Sequence, residues 1–179
     1  MKTYFDSILK GILVGSIAIF LASTVHAEVE ENKRMNILFS YEKNPDAWCL
    51  AQNIYYEARG SSLADQAGVA DVVLNRVKDT RYPNTICEVV RQGETHPNGK
   101  MKRNRCQFSW YCDGKSDWPT NYDAWAIAQQ QAYMMLERNE YRGITEGATH
   151  YHADYVMPRW ASSLQLVGRI GEHIFYRWK

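Results

Sequence analysis

What this sequence lacks narrows its function first. It has no excess of one charge: 21 Lys and Arg stand against 20 Asp and Glu, a net of +1 over 179 residues. Proteins that hold a polyanion do so through clustered cationic charge, so nothing here points to nucleic acid as a partner. There is no internal repeat and no low-complexity segment, which sets aside repeat arrays and disordered linkers. There is no H-E-x-x-H, and no C-x-x-C among the four cysteines, the short spacings that most directly signal zinc. The one long uncharged apolar run, Gly11 to Val25, is shorter than the roughly 20 residues a membrane-spanning helix needs. What is present is globular in character: 45% hydrophobic and 13% aromatic residues, enough for one core in a chain of single-domain length.

The first 27 residues have their own pattern. Lys2 and Lys10 flank a weakly basic start that Asp6 dilutes, and the apolar run follows. It closes on Val25-His26-Ala27, with small residues at the −3 and −1 positions of a cleavage site, and Glu28, Glu30 and Glu31 come next. That three-part order is the signature of a secretory signal peptide; the competing reading is an uncleaved anchor, which the short run disfavours. Cleavage after Ala27 would leave an exported chain with no net charge and no stable membrane insertion, in the periplasm or outside the cell. Cys49, Cys87, Cys106 and Cys112 all lie in the mature part. In an oxidising compartment they form disulfides. Four cysteines admit three pairings; the preferred one closes a small loop with Cys106–Cys112 and joins two helices with Cys49–Cys87.

Beyond an irregular leader over residues 28–43, helix signals begin. Asn44 caps, Pro45 fits the first helical position, and Ala47, Trp48, Ala51, Ile54, Tyr55 and Ala58 make one stripe that Gly60 ends. Ser62-x-x-Asp65 reads as a capping box for a second helix with Ala67, Ala70, Val73, Leu74 and Val77 on its buried face. Thr85-x-x-Glu88 opens a short third helix, and Thr120-x-x-Asp123 a fourth with Trp125, Ala128, Ala132 and Met135 inward. Between them, Gln92 to Pro119 shows no sustained period and reads as a long tethered loop. From Thr149 the pattern turns to β, with Gly171-Glu172 as a two-residue hairpin loop. The fold class expected is α+β, helical in its N-terminal part with a small antiparallel β-sheet at the C-terminus.

Glu57 is the first candidate for chemistry. On the helical wheel it sits beside Ile54 at the edge of the apolar stripe, with Asn53 one turn earlier. Such a position walls a cleft, and burial against aromatics raises a carboxyl pKa so that a proton stays available near neutral pH. The plain alternative is a surface glutamate paired with a nearby arginine.

The segments Ile54-Tyr55-Tyr56-Glu57-Ala58-Arg59-Gly60 and Gln66 to Val77 resemble the spore cortex-lytic and cell-wall hydrolase family. The resemblance continues at Tyr82 to Cys87, Cys106 to Trp110, Ala148 to Ala153 and Gly171 to Tyr176, in order, across Trp48 to Trp178. Ser61 stands where the family more commonly has an acidic residue, and no segment resembles the separate peptidoglycan-binding domain of some members. The resemblance implies that residues 44–179 are a catalytic domain with a cleft like that of lysozymes and lytic transglycosylases. It implies cleavage of peptidoglycan glycan strands between N-acetylmuramic acid and N-acetylglucosamine, with Glu57 as catalytic acid and no cofactor. Members resemble lytic transglycosylases, which need one carboxyl group; simple hydrolysis would need a second, for which Asp71, Asp113, Asp117 and Asp154 are available.

Other residues have two readings each. Asn53, Gln107, Ser109 and Trp110, with Tyr151 or His152, are candidate sugar contacts; Trp110, Tyr111 and Trp118 offer sugar-stacking faces or else core packing, and Phe108 either stacks beside Gln107 and Ser109 or plugs the core. His150-x-His152 points both imidazoles to one strand face, and with His96 or His173 they would make a three-histidine zinc site, the arrangement of an amidase that frees stem peptides. No metal is expected, because the third ligand is arbitrary. A secreted module that only binds peptidoglycan is the non-enzymatic alternative.

Overall fold

The computed structural model describes residues 24–31, 33, 40 and 42–179. The chain forms two units, residues 1–38 and 39–179. In the first, residues 24–31 and 33 are helical and exposed. The sequence reading expects an irregular leader from residue 28; the glutamates there are good helix formers, which suits the helix found. The rest of the signal-peptide expectation lies outside the described residues. No helix among the described residues is long and apolar enough to cross a membrane.

The second unit opens with α1 (Pro45–Ala58), where the Asn44 side chain accepts from the Ala47 N–H at 3.2 Å. Gly60, at φ +87°, ends it in a conformation that costs other residues dearly. α2 (Leu63–Lys78) begins with the Ser62 hydroxyl accepting from the Asp65 N–H. The short α3 (Ile86–Val90) is capped by Thr85. α4 (Tyr122–Glu137) starts one residue later than the sequence reading expects, with Asn121 rather than Thr120 as cap. The physical reason lies on α1: the Tyr55 hydroxyl accepts the N–H groups of both Thr120 and Asn121, at 3.3 and 3.1 Å. That anchors the chain ahead of the helix and leaves the Asn121 side chain, a stronger cap than threonine, to meet the Ala124 N–H.

α1 packs on α2, α3 and α4, burying Leu50, Ala51, Ile54 and Tyr55 against Val69 and Val73 and against Ala128, Ala132 and Met135. A disulfide joins Cys49 of α1 to Cys87 of α3. β3 (His150–Ala153), β4 (Gln165–Ile170) and β5 (His173–Arg177) form an antiparallel sheet in the order β3-β5-β4. The turn between β4 and β5 is Gly171-Glu172, with Ile170 opposite His173 and Gly171 at φ +56°. One sheet face lies on α2, where a Cβ at Gly68 would stand 2.7 Å from Phe175 Cζ. A helix interior glycine costs about 1 kcal/mol against alanine; burying Phe175 here contributes roughly 1.5–3 kcal/mol and needs that gap.

The fold is therefore α+β, as the periodicities indicate, with one correction. The loop expected from Gln92 to Pro119 contains a two-stranded sheet, β1 (Gly93–Thr95) and β2 (Met101–Cys106), followed by a 3-10 turn over Ser109–Cys112 that a Cys106–Cys112 disulfide ties back. β2 reads Met-Lys-Arg-Asn-Arg-Cys and is largely exposed on both sides. Without a buried face there is no alternation in the sequence to announce a strand.

Candidate active site

Glu57 lies in the last turn of α1, and Tyr151 on β3 faces it. The Tyr151 hydroxyl donates to Glu57 Oε2 at 2.9 Å. Burial pushes the Glu57 carboxyl above the usual range; the Tyr151 hydrogen bond and the charges of His173 and Arg76 pull the other way without cancelling it. The carboxyl also sits at the negative end of the α1 dipole, which again disfavours the anion. Burial and the neighbouring Glu57 hold the Tyr151 hydroxyl well above the ordinary tyrosine value, so it stays a donor throughout the working pH range.

A second layer sets the Tyr151 ring. It meets the His173 ring edge-on at 5.0 Å and the Phe175 ring at 5.8 Å. The His173 Nδ1–H donates to Asp65 Oδ1 at 2.8 Å, and the Glu172 N–H donates to Asp65 Oδ2 at 3.1 Å. Asp65 is fully buried. A Cβ at Gly171 would collide with its carboxyl at 2.7 Å, so this turn needs glycine for its left-handed φ and for the close approach alike. The capping box read from Ser62-x-x-Asp65 is thus half realised: Ser62 caps, while the aspartate carboxylate holds the β4–β5 turn and His173.

Arg76 of α2 completes the surroundings. Its buried guanidinium donates from Nε to the Thr149 carbonyl at 2.8 Å and lies 5.3 Å from the ring centres of both Tyr82 and Phe108. Nη1 has no hydrogen-bond partner among the described residues. Asp71, one turn earlier, is spoken for. It accepts from Asn75 Nδ2 at 3.4 Å on its own helix and, from the loop ahead of β3, from the Gly143 N–H at 2.9 Å, the Thr145 N–H at 3.1 Å and the Thr145 hydroxyl at 2.6 Å. Those bonds seat the loop that delivers β3.

The carboxylates considered for a two-acid mechanism have partners or surroundings of their own. Asp71 anchors that loop, Asp113 accepts from the Lys115 N–H, Asp117 lines a separate cavity and Asp154 pairs with Arg169. The charges acting on Glu57 are those of His173 and Arg76.

Of the sugar-contact candidates, Tyr151 is brought to Glu57. Gln107 and Ser109 are exposed on either side of the buried Phe108. Three are placed differently from the expectation. Asn53, one turn before Glu57, is fully buried, because its stripe faces the neighbouring helices and leaves no path to a ligand. Trp110 is 8% exposed, since its ring stacks on Tyr56 at 4.6 Å. His152 alternates to the sheet face away from Glu57, where it meets the Tyr176 hydroxyl at 3.1 Å and packs on Trp160. His150 shares that face and also touches Trp160. His173 is on the opposite one with Asp65, so the three-histidine arrangement is not assembled from these residues. Sequence reasoning missed Asp65 and Arg76 as site residues. The available signal was the run Leu74-Asn75-Arg76-Val77, within which an arginine on an otherwise apolar helix face is unusual.

A family model described as Cell Wall Hydrolase matches residues 60–176, and Glu57 lies just ahead of that span. The spore cortex-lytic enzyme of Halalkalibacterium halodurans is 27% identical over 158 residues, covering 83% of this chain and 39% of that protein. The spore cortex-lytic enzyme of Bacillus cereus is 25% identical over 145 residues, covering 81% and 49%. The chain therefore spans half or less of the length of these relatives. Among solved structures, the catalytic domain of the Bacillus cereus SleB protein is similar with a TM-score of 0.51 at 26% identity, over 74% of this chain and 89% of that one. The catalytic domain of the germination-specific lytic transglycosylase SleB from Bacillus anthracis gives a TM-score of 0.54 at 26% identity, over 74% and 93%.

Proposed function

This chain belongs to the cell wall hydrolase family, and on that premise we propose that it cuts peptidoglycan glycan strands between N-acetylmuramic acid and N-acetylglucosamine as a lytic transglycosylase, with Glu57 as its acid and base. The observation that carries the reading is the setting of Glu57: a carboxyl raised by burial against the pull of its Tyr151 donor. Two-carboxylate hydrolysis needs the second group about 5–9.5 Å away; one-carboxyl chemistry does not.

The steps follow from that setting. Protonated Glu57 gives its proton to the glycosidic oxygen as the bond from the muramyl C1 breaks and positive charge develops on the ring. The carboxylate left behind takes the proton of the muramyl C6 hydroxyl, whose oxygen closes on C1 to form the 1,6-anhydro ring. Glu57 ends protonated, ready for the next cut. Between the two transfers, the Tyr151 hydroxyl and the charges of Arg76 and His173 stabilise the anion, while burial favours the acid before and after. A well-placed general acid contributes roughly 10²–10⁴-fold in rate. Gln107 and Ser109, exposed beside Phe108, would meet N-acetyl and hydroxyl groups of the strand. The leader of residues 1–27 would deliver the enzyme to the wall, where its disulfides persist.

Mass spectrometry of soluble fragments from purified peptidoglycan tests this. Anhydro-muramic ends released by the native protein and absent with Glu57→Gln are the expected result. Reducing muramic ends would overturn the transglycosylase chemistry, freed stem peptides would make it an amidase, and retained binding without fragments would leave only a binding module.

A further inference from the structure

α1 presents a second surface on its other side. Trp48 precedes Glu57 by two and a half turns, so the two side chains leave the helix in opposite directions, about 13 Å apart along its axis. On the Trp48 side is a cavity of about 590 Å³, within the ~300–1,000 Å³ range of small-ligand sites. Its walls include Trp48, Gln52, Arg91, Tyr111, Asp117 and Trp118. None of these takes part in the Glu57 site.

The wall combines two kinds of surface. Trp48 and Trp118 place their rings 5.3 Å apart at 40°, and Trp118 is 65% exposed. So large a ring left in water, inside a concavity, is an unfilled contact. Beside it, burial and the charge of Asp113 push the Asp117 carboxyl above its ordinary range while Arg91 opposes them. Among the described residues no hydrogen bond reaches the Asp117 carboxylate, although its backbone carbonyl accepts from Gln52 Nε2 at 2.8 Å. The place is rigid: Trp48 also packs edge-on against Trp125 of α4 at 5.0 Å, and the Gln52 bond ties the Asp117 segment to α1. An open indole face next to a partly desolvated acceptor fits a ligand with a flat C–H face and a rim of hydroxyl donors. That is the chemistry of a pyranose. A peptide strand would want a free sheet edge, and none is among the residues that line the wall.

We propose that this cavity binds a saccharide unit of the glycan polymer, away from the bond being cut, so that the enzyme stays attached to the wall between cleavages. The proposal rests on the glycan reading of the Glu57 site. Its test uses the full mature chain carrying Glu57→Gln, titrated with a soluble peptide-free tetrasaccharide of alternating N-acetylglucosamine and N-acetylmuramic acid and followed by NMR. Signals of Tyr151 report the Glu57 site, and the indole signals of Trp48 and Trp118 report the cavity. Both sets are expected to shift. Trp118→Ala or Asp117→Asn, at positions exposed or partly exposed and outside the packed core, should weaken the cavity response roughly tenfold while the Tyr151 response stays. Tyr151 shifts with silent cavity signals would overturn the cavity proposal alone. Cavity shifts with free stem peptide and none with the tetrasaccharide would overturn it as well, in favour of a peptide site. Silence in both sets would overturn the glycan reading together with the proposal. In the catalytic background, Trp118→Ala should release several-fold less material from intact sacculi and cleave short soluble strands at the native rate; equal release from sacculi counts against the proposal.

Discussion

Two carboxylates on neighbouring helices, the partly buried Glu57 in the last turn of α1 and the buried Asp71 in the middle of α2, have opposite surroundings. Asp71 accepts from two backbone N–H groups, a threonine hydroxyl and the Asn75 amide, and what it holds is the loop that leads into β3. Glu57 has one donor, Tyr151, and burial pushes its carboxyl up. Burial disfavours the carboxylate at Glu57, and the Tyr151 donor does not cancel that. A carboxylate given four donors is scaffold; one given a single donor among the described residues, at the negative end of a helix, is an acid in waiting.

The comparison is sharpest under substitution. Glu57→Gln should lower turnover on peptidoglycan by about 10³-fold or more with the fold intact by circular dichroism; comparable turnover would falsify the assignment of Glu57 as acid. Asp71→Ala strips the acceptor from three loop donors and from Asn75, which keeps other partners; each loop donor costs roughly 1–3 kcal/mol when left buried and unpaired. Denaturant unfolding should then show a loss of about 3–5 kcal/mol, and any activity loss should follow the folded fraction. If Asp71→Ala is stable and inactive, the division between scaffold and acid fails.

Smaller effects probe the single donor. Tyr151→Phe removes the bond that lowers the Glu57 pKa, so that pKa should rise. The alkaline limb of the pH–rate profile should move to higher pH, with roughly a tenfold loss in kcat from a mispositioned carboxyl. An unmoved limb would mean that Tyr151 does not act on Glu57.

Stability against pH gives a further contrast. Because the folded Glu57 pKa is raised, the native state binds more protons than the unfolded chain between the ordinary carboxylate value, about 4.3, and the raised one. Its contribution to stability therefore falls as pH rises through that window. Glu57→Gln should raise Tm at neutral pH by on the order of a few degrees and leave it unchanged below about pH 4; a Tm gain that persists in acid would point to some other cause. The smallest expected effect belongs to His150, on the far sheet face. Burial, then Arg76 and Arg81, lower its pKa to about 4, against about 6.5 unfolded. Its protonation favours unfolding as pH drops from about 6.5 to about 4, and His150→Gln should flatten the Tm curve over that interval. An unchanged slope would show that His150 stays solvated.

Much of the frame is legible from residue order. The caps at Asn44, Ser62 and Thr85, the apolar stripes of α1 and α2 and the Gly171-Glu172 turn all read directly, because each depends on residues within a turn or two. Glu57 at the edge of its stripe, and Tyr151 alternating away from His150 and His152, follow from helical and strand periods in the same way. β1 and β2 do not read, since an exposed polar hairpin leaves no alternation. Asn53 and Trp110 look like cleft residues because their types suit sugar binding. Burial, which composition does not reveal, removes them.

By itself, then, the sequence determined the caps of α1, α2 and α3, that Tyr151 points away from His150 and His152, and that a glutamate stands at the border of the core. Only the tertiary structure decided which donors each buried carboxylate meets. Those partners lie far along the chain: 94 residues separate Tyr151 from Glu57, 108 separate His173 from Asp65, and 74 separate Thr145 from Asp71. A local pattern carries no information about such pairs. They form only when α1, α2 and the sheet pack, and it is that packing that brings Tyr151 to Glu57 and the Gly143 and Thr145 donors to Asp71.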